Sequence, residues 1–335
     1  MRIPGVLLST FVLLSLSCAH ENDLQKEDLG WEAIAKSVDQ ALKSSDSPAT
    51  GKQLARTELE RLAPEYLESI KREGIVSNRL KKLWGRSINF DEGAKAIIVP
   101  APVLDLVLET AGLPPRGAGL SFPDSDRIAH AGFEHTYGYL LSNLVTPYGY
   151  KRQRWVRPDI ERGFGLPDGT IAPLPKDGGL FANISVLAGS IAFRGTGTSD
   201  SQAFEILQLA EGASPAVRHY DYSALHGRRL TETLTLAGAV PRTVEIRTDF
   251  VPFPKASGEA TGGNSELLIY SLLDSAEKYP TLISAFPIAP GFSDGATASK
   301  DLGENLPIKT RYNAYVSGVT DSSVKLTGKR SVSIF

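Results

Sequence analysis

The chain is poor in sulfur. Among its 335 residues there is one cysteine and one methionine. A single thiol closes no intramolecular disulfide, and it supplies neither a zinc–thiolate site nor an iron–sulfur cluster, which need several. An excess of one charge is missing too. Lys and Arg number 36 against 38 Asp and Glu, a net charge of -2, so no global field recruits nucleic acid. No stretch in the body of the chain approaches the roughly 18 apolar residues of a spanning helix. His-Glu-x-x-His, Gly-x-Ser-x-Gly and a phosphate loop ending in Gly-Lys-Ser/Thr are all absent, which removes the signatures of zincins, α/β-hydrolases and P-loop enzymes. No long internal repeat is present. What is there is ordinary: 41% hydrophobic and 22% charged, the composition of a folded chain.

The N-terminus departs from this plainness. "MRIPGVLLSTFVLLSLSCAH" carries Arg2, an apolar run from Val6 to Leu16, then Ser17 and Cys18. A basic start, a short apolar stretch and a small residue before a cut site read as a secretory leader, too short for a membrane span. Cys18 directly after the run resembles the lipobox of bacterial lipoproteins. Ser17 fits that pattern; Ser15 stands where the family usually has Leu, with Leu14 and Leu16 beside it. The resemblance implies cleavage before Cys18, palmitate-type acylation of its thiol, and a protein held in the cell envelope facing periplasm or cell surface. The alternative is a plain signal peptide that happens to contain a cysteine. The resemblance covers only about the first twenty residues and assigns no activity.

Residues 1–17 are thus expected to be leader and 18–28, "CAHENDLQKED", a polar lipidated tether. Residues 29–150 read as mainly helical. Trp31, Ile34, Val38 and Leu42 fall at helical spacing. "KQLARTELERLAPEYLESIKREG" carries a second stripe, kinked or split at Pro64, and "APVLDLVLETAG" a third helix closed by Gly112. Residues 151–335 read as β-rich. "LFANISVLAGSIAFRG" is expected to form two strands or one bent strand, and "SQAFEILQLAEG" a short helix. Three hairpins are expected: "LTETLTLAG" with "RTVEIRTDFVPF", "ELLIYSLLD" with "TLISAFPI", and "YNAYVSGV" with "SVKLTG". Their connections are too short for helical crossovers. The fold class is therefore α+β, a helical N-terminal part packed on a largely antiparallel sheet as one globular unit.

Three segments carry candidate chemistry. The first, His130 to Trp155, holds His130, Glu134 and His135, then Tyr137, Tyr139, Tyr148 and Tyr150 in two Tyr-Gly-Tyr triplets, then Arg152, Arg154 and Trp155. His130 and Glu134, four apart, share a helix face. His135 lies about 140° away around the same helix, so a metal set needs a broken helix. The tyrosines offer flat rings with polar tips, and the arginines can clamp carboxylate or phosphate. The second segment, "IAFRGTGTSDSQAF", leads a strand into a Gly/Ser/Thr loop before a helix start that could hold an anion. Its "AFRGT" is similar to a strand-end segment of class 3 lipases, whose serine elbow this chain lacks. The third, "RHYDYSALHGRRL", sets Asp221 between His219 and His226 with Arg218, Arg228 and Arg229 nearby. Asp221 could orient a histidine acting as general base.

Three readings stay open. One is a lipid-anchored envelope protein binding an anionic small molecule, a glycan or a lipid headgroup through Tyr137, Tyr139, Tyr148, Tyr150, Arg152, Arg154 and Trp155. Another is a hydrolase using His130, Glu134, His135 and His219, with or without a divalent metal. The third is an envelope scaffold that engages partners through sheet edges. No motif specifies a cofactor.

Overall fold

A computed structural model describes residues 29–73, 83, 87–89, 101–112, 136–141, 145–146, 149–150, 159–171, 177–195, 212–236, 242–253, 265–275, 280–288, 293–294, 297, 314–316 and 330–335. The fold is α+β, with N-terminal helices followed by a five-stranded antiparallel sheet. The apolar stripe of the first segment forms α1, Leu29–Lys43, which buries Trp31, Ala35 and Val38. Pro48 opens α2, Pro48–Leu62, where a missing N–H costs nothing. Its buried line is Gly51, Ala55 and Leu59, and Leu54 faces outward. Pro64 splits the next stretch instead of kinking it. The chain breaks at Ala63 and restarts as α3, Pro64–Glu73, which buries Tyr66, Leu67 and Ile70. After a short strand β1, Ser87–Asn89, helix α4 spans Ala101–Thr110, and Gly112 takes a left-handed φ of 71° behind it.

The segment expected to be strand is a helix. Leu180–Ala192 forms α6, preceded by a short helix α5, Asp159–Phe164. Twelve of its thirteen residues are buried. The reason is physical: a helix enclosed on every side shows no polar face, so its sequence lacks the 3.6 period and imitates a buried strand. Length favours the helix, since thirteen residues exceed an ordinary strand. It lies between α3 and the sheet and joins both into one core. Asn183, wholly buried, fastens its start: Nδ2 donates to Thr170 O at 2.5 Å and Asp177 O at 3.1 Å, and Oδ1 accepts from Ser214 N at 2.8 Å. That last bond leads into α7, Pro215–Arg218.

Two small strands, β2 (Val145–Thr146) and β3 (Gly149–Tyr150), pair locally. The main sheet comprises β4 (Arg228–Leu236), β5 (Arg242–Phe253), β6 (Ser265–Asp274), β7 (Thr281–Ile288) and β9 (Arg330–Ile334), in the order β7-β6-β5-β4-β9. The first two expected hairpins form in register. The third is only half described. Its first half supplies β8, Ala314–Val316, which pairs with distant β1, and "SVKLTG" lies outside the described residues. "RSVSI", not read as a strand at all, docks on β4. Turn chemistry encodes neighbours along the chain, whereas these two pairings join strands far apart in sequence. The expected helix "SQAFEILQLAEG" falls almost wholly outside the described residues. Both faces of the sheet carry buried residues on the central strands. Val251, Phe253, Leu267, Ile269 and Ala285 join the helix-side core, while Leu230, Phe250, Leu268 and Ile288 form a second cluster behind.

Candidate functional site

Side chains alternate along a strand, so β5 sends Glu245, Arg247, Asp249, Val251 and Phe253 to the helix side. The last two pack in the core. The first three are charged, yet Arg247 and Asp249 are buried. Buried charges need partners. Arg229 of β4 stands directly opposite Asp249 and grips it with two bonds, Nε to Oδ1 at 2.6 Å and Nη2 to Oδ2 at 3.1 Å. The same guanidinium donates to Ile191 O at 3.1 Å and to Arg194 O, at the end of α6. A cation there also offsets the partial negative charge of the helix C-terminus. The guanidiniums of Arg194 and Arg229 each lie 5.1 Å from the centre of the Phe335 ring. Gly227 and Phe335 exchange backbone bonds of 3.0 Å, and a Cβ on residue 227 would stand 2.7 Å from the ring. Only glycine admits the ring here.

Beyond the helix end the sheet carries a row of hydroxyls. Register sets Ser331, Thr231, Arg247 and Ser271 side by side across four strands. The row runs from exposed Ser331 through half-buried Thr231 to buried Arg247 and fully buried Ser271. Arg247 bonds Glu245 Oε2 through Nε at 3.1 Å and Nη2 at 2.6 Å. Its Nη1 is buried and unpartnered, and so is Ser271 Oγ. Each such group forgoes roughly 1–3 kcal/mol of solvation. Three arginines (194, 229 and 247) bear on Asp249. Burial, the largest influence, still pushes the Asp249 carboxyl above its usual range, against the pull of Arg229, then Arg247 and Arg194. The arrangement holds no nucleophile paired with a base. It can bind an oxyanion, offering a guanidinium edge with hydroxyls on either side.

The sequence-expected residues fare differently. Tyr137 is in the core, not on a surface. It is fully buried, its carbonyl accepts from Tyr66 Oη at 2.7 Å, and its hydroxyl is 2.8 Å from Ser69 Oγ. An aromatic chain Trp31–Tyr66–Tyr137 stacks edge to face, with centroids 5.4 and 5.7 Å apart. Tyr139 lies in a 3-10 turn, Gly138–Leu141, and Tyr150 in β3 opposite Val145. His130, Glu134, His135, Tyr148, Arg152, Arg154 and Trp155 lie outside the described residues. His219 follows α7 and is exposed, as is His226. Asp221 does not orient a histidine. Its Oδ1 accepts from Ser223 N at 3.1 Å and Ser223 Oγ at 2.5 Å, which hold its carboxyl below the usual range. Among the described residues, no three His, Cys, Asp or Glu side chains come together as a metal site. No described helix is long and apolar enough to cross a membrane. The loop of the second segment, expected to follow a strand, instead follows the C-terminus of α6, with Gly195 at φ 68°.

Sequence reasoning passed over Arg247, Asp249 and Ser271, although Arg229 stood within its third segment. The available signal was the odd-numbered face of "RTVEIRTDFVPF", where charges give way to Val251 and Phe253. A wholly solvent-facing row would have stayed polar. No family model, curated protein or solved structure matches this chain.

Proposed function

We propose that this is an exported protein, anchored in the cell envelope by lipid on Cys18, whose globular body binds an oxyanion. The observation that carries the binding half is the pair of buried, unpartnered donors, Arg247 Nη1 and Ser271 Oγ, on paired positions of β5 and β6. An oxyanion accepts bonds from a guanidinium and a hydroxyl at once, and in a low-dielectric setting those bonds are strong. Asp249 is already satisfied by Arg229, which leaves Arg247 as the member of the cluster with a donor to offer. The anchoring half rests on the leader and the position of the lone cysteine. Phosphate, sulfate and carboxylate share the required chemistry, whether free or carried on a lipid headgroup.

The test is a thermal melt of the detergent-solubilised chain with inorganic phosphate. A ligand that binds only the folded state stabilises it by about 2.7 kcal/mol at a hundred times its Kd. The wild-type midpoint is expected to climb with phosphate by several degrees, and Arg247→Gln to stay flat. Equal shifts in both would place binding elsewhere. If phosphate is silent and vesicles bearing anionic headgroups shift the melt in an Arg247-dependent way, the ligand is a headgroup. No Arg247-dependent shift with either overturns the binding half.

A further inference from the structure

Arg247 is engaged along one edge of its guanidinium. Glu245 Oε2 accepts from Nε at 3.1 Å and from Nη2 at 2.6 Å, which fills the side edge. Nη1 is buried without a partner. Each Nη nitrogen carries two hydrogens. The open end edge, Nη1 with Nη2, therefore shares Nη2 with the edge that Glu245 fills. An oxyanion seated on the open edge bonds to the same nitrogen as the Glu245 carboxylate. That carboxylate has an oxygen to spare, because Glu245 Oε1 accepts no hydrogen bond among the described residues.

Glu245 also stands at the mouth of the site. Along the helix-side face of β5, Thr243 is exposed, the Glu245 side chain is 35% exposed, Arg247 8%, and Asp249 fully buried. Thr233, opposite Glu245 on β4, is half-buried. A small anion moving along this face toward Arg247 passes the Glu245 carboxylate. The strand charges already pair off, Arg229 with Asp249 and Arg247 with Glu245. An anion entering here meets a carboxylate in place beside its guanidinium.

The consequence depends on whether the anion carries a proton. A fully deprotonated oxyanion presents only acceptors, and like charges side by side repel. An oxyanion that keeps a proton donates it to the carboxylate in a charge-assisted hydrogen bond. Inorganic phosphate holds at least one P–OH at neutral pH, and a phosphomonoester takes one up with a pKa of about 6. Sulfate, carboxylates and phosphodiesters hold none. We infer that Glu245 makes the site selective for an oxyanion bearing a P–OH group, inorganic phosphate or a phosphomonoester. Arg247 Nη1 and Ser271 Oγ donate to its bare oxygens, and Glu245 Oε1 accepts from the protonated one. This rests on the anion reading of the same cluster and narrows it.

The test compares inorganic phosphate with inorganic sulfate by calorimetry on the full chain, at constant ionic strength and about pH 6, near the second pKa of a phosphomonoester. One hydrogen bond to a charged group corresponds to a preference of roughly tenfold to a hundredfold. The wild type is expected to favour phosphate over sulfate by that ratio, a result that needs no variant. Glu245→Gln is expected to gain sulfate binding and bring the ratio close to one, with its circular dichroism spectrum unchanged. Vesicles separate the sources. If free phosphate is silent, Arg247-dependent binding to a phosphomonoester headgroup and not to a phosphodiester headgroup supports the inference with a lipid as ligand. Equal binding to the two headgroups, or sulfate binding that equals phosphate binding in the wild type and is lost in Arg247→Gln, overturns the selectivity and leaves the anion reading standing. A phosphate preference that folded Glu245→Gln keeps in full overturns the role of Glu245. Binding of neither anion and neither vesicle overturns both readings.

Discussion

Asp249 shows how one buried side chain organises its surroundings. Its carboxylate is held by both sides of the Arg229 fork, and that fork also reaches the last carbonyls of α6. Removing one partner strands the other charge in the interior. Asp249→Ala is expected to cost about 3–5 kcal/mol in urea unfolding. The double change Arg229→Met with Asp249→Leu should cost clearly less, because no unpaired charge remains. A double variant as unstable as the single one would show that the helix-end bonds, not the ion pair, dominate. These residues were only partly legible beforehand. Charges on alternate positions of a strand read as a solvated face, and nothing local in the sequence says that α6 comes down over them. Tyr137 erred the opposite way. A tyrosine beside glycine suits a binding surface, but its ring completes a stack with Trp31 and Tyr66 that only the folded chain reveals.

Elements were legible in proportion to the visibility of their period. Helices α1 to α4 each expose one face and could be read from spacing. The two long hairpins could be read from alternation. Helix α6, enclosed all round, could not, and the β1–β8 and β4–β9 pairings depend on contacts remote in sequence. Between elements, Ser37 Oγ of α1 donates to Glu58 Oε1 of α2 at 2.5 Å, and Arg61 holds the same carboxylate. These bonds, that of Arg61 foremost, lower the Glu58 pKa from 4.5 to about 2. A depressed carboxyl stabilises the fold above its unfolded pKa and loses that contribution as pH falls toward the folded value. The window therefore runs from 4.5 down to about 2. Glu58→Gln removes the titration, so its stability should fall less steeply than wild type across that range. Denaturant midpoints near pH 5 and near pH 3, which bracket most of the titration, check this. Parallel acid limbs would mean that the bonds are screened away by solvent, as exposed pairs often are.

At the scale of the whole molecule, the proposal is a body anchored at a membrane through Cys18. Cys18→Ala should move the protein from the membrane to the soluble fraction of its native cell, and unchanged membrane retention would remove the lipid anchor. The proposed leader is read from local chemistry alone, and it lies outside the described residues. The proposed binding surface was the least legible, because it needs β4, β5 and β6 in register before Thr231, Arg247 and Ser271 become neighbours. The most direct test of the account is an equilibrium titration of inorganic phosphate into the folded protein, wild type beside Arg247→Gln, by calorimetry. The account predicts saturable binding at one site per chain in the wild type and none in the variant. Saturable binding that the variant retains undiminished would contradict it.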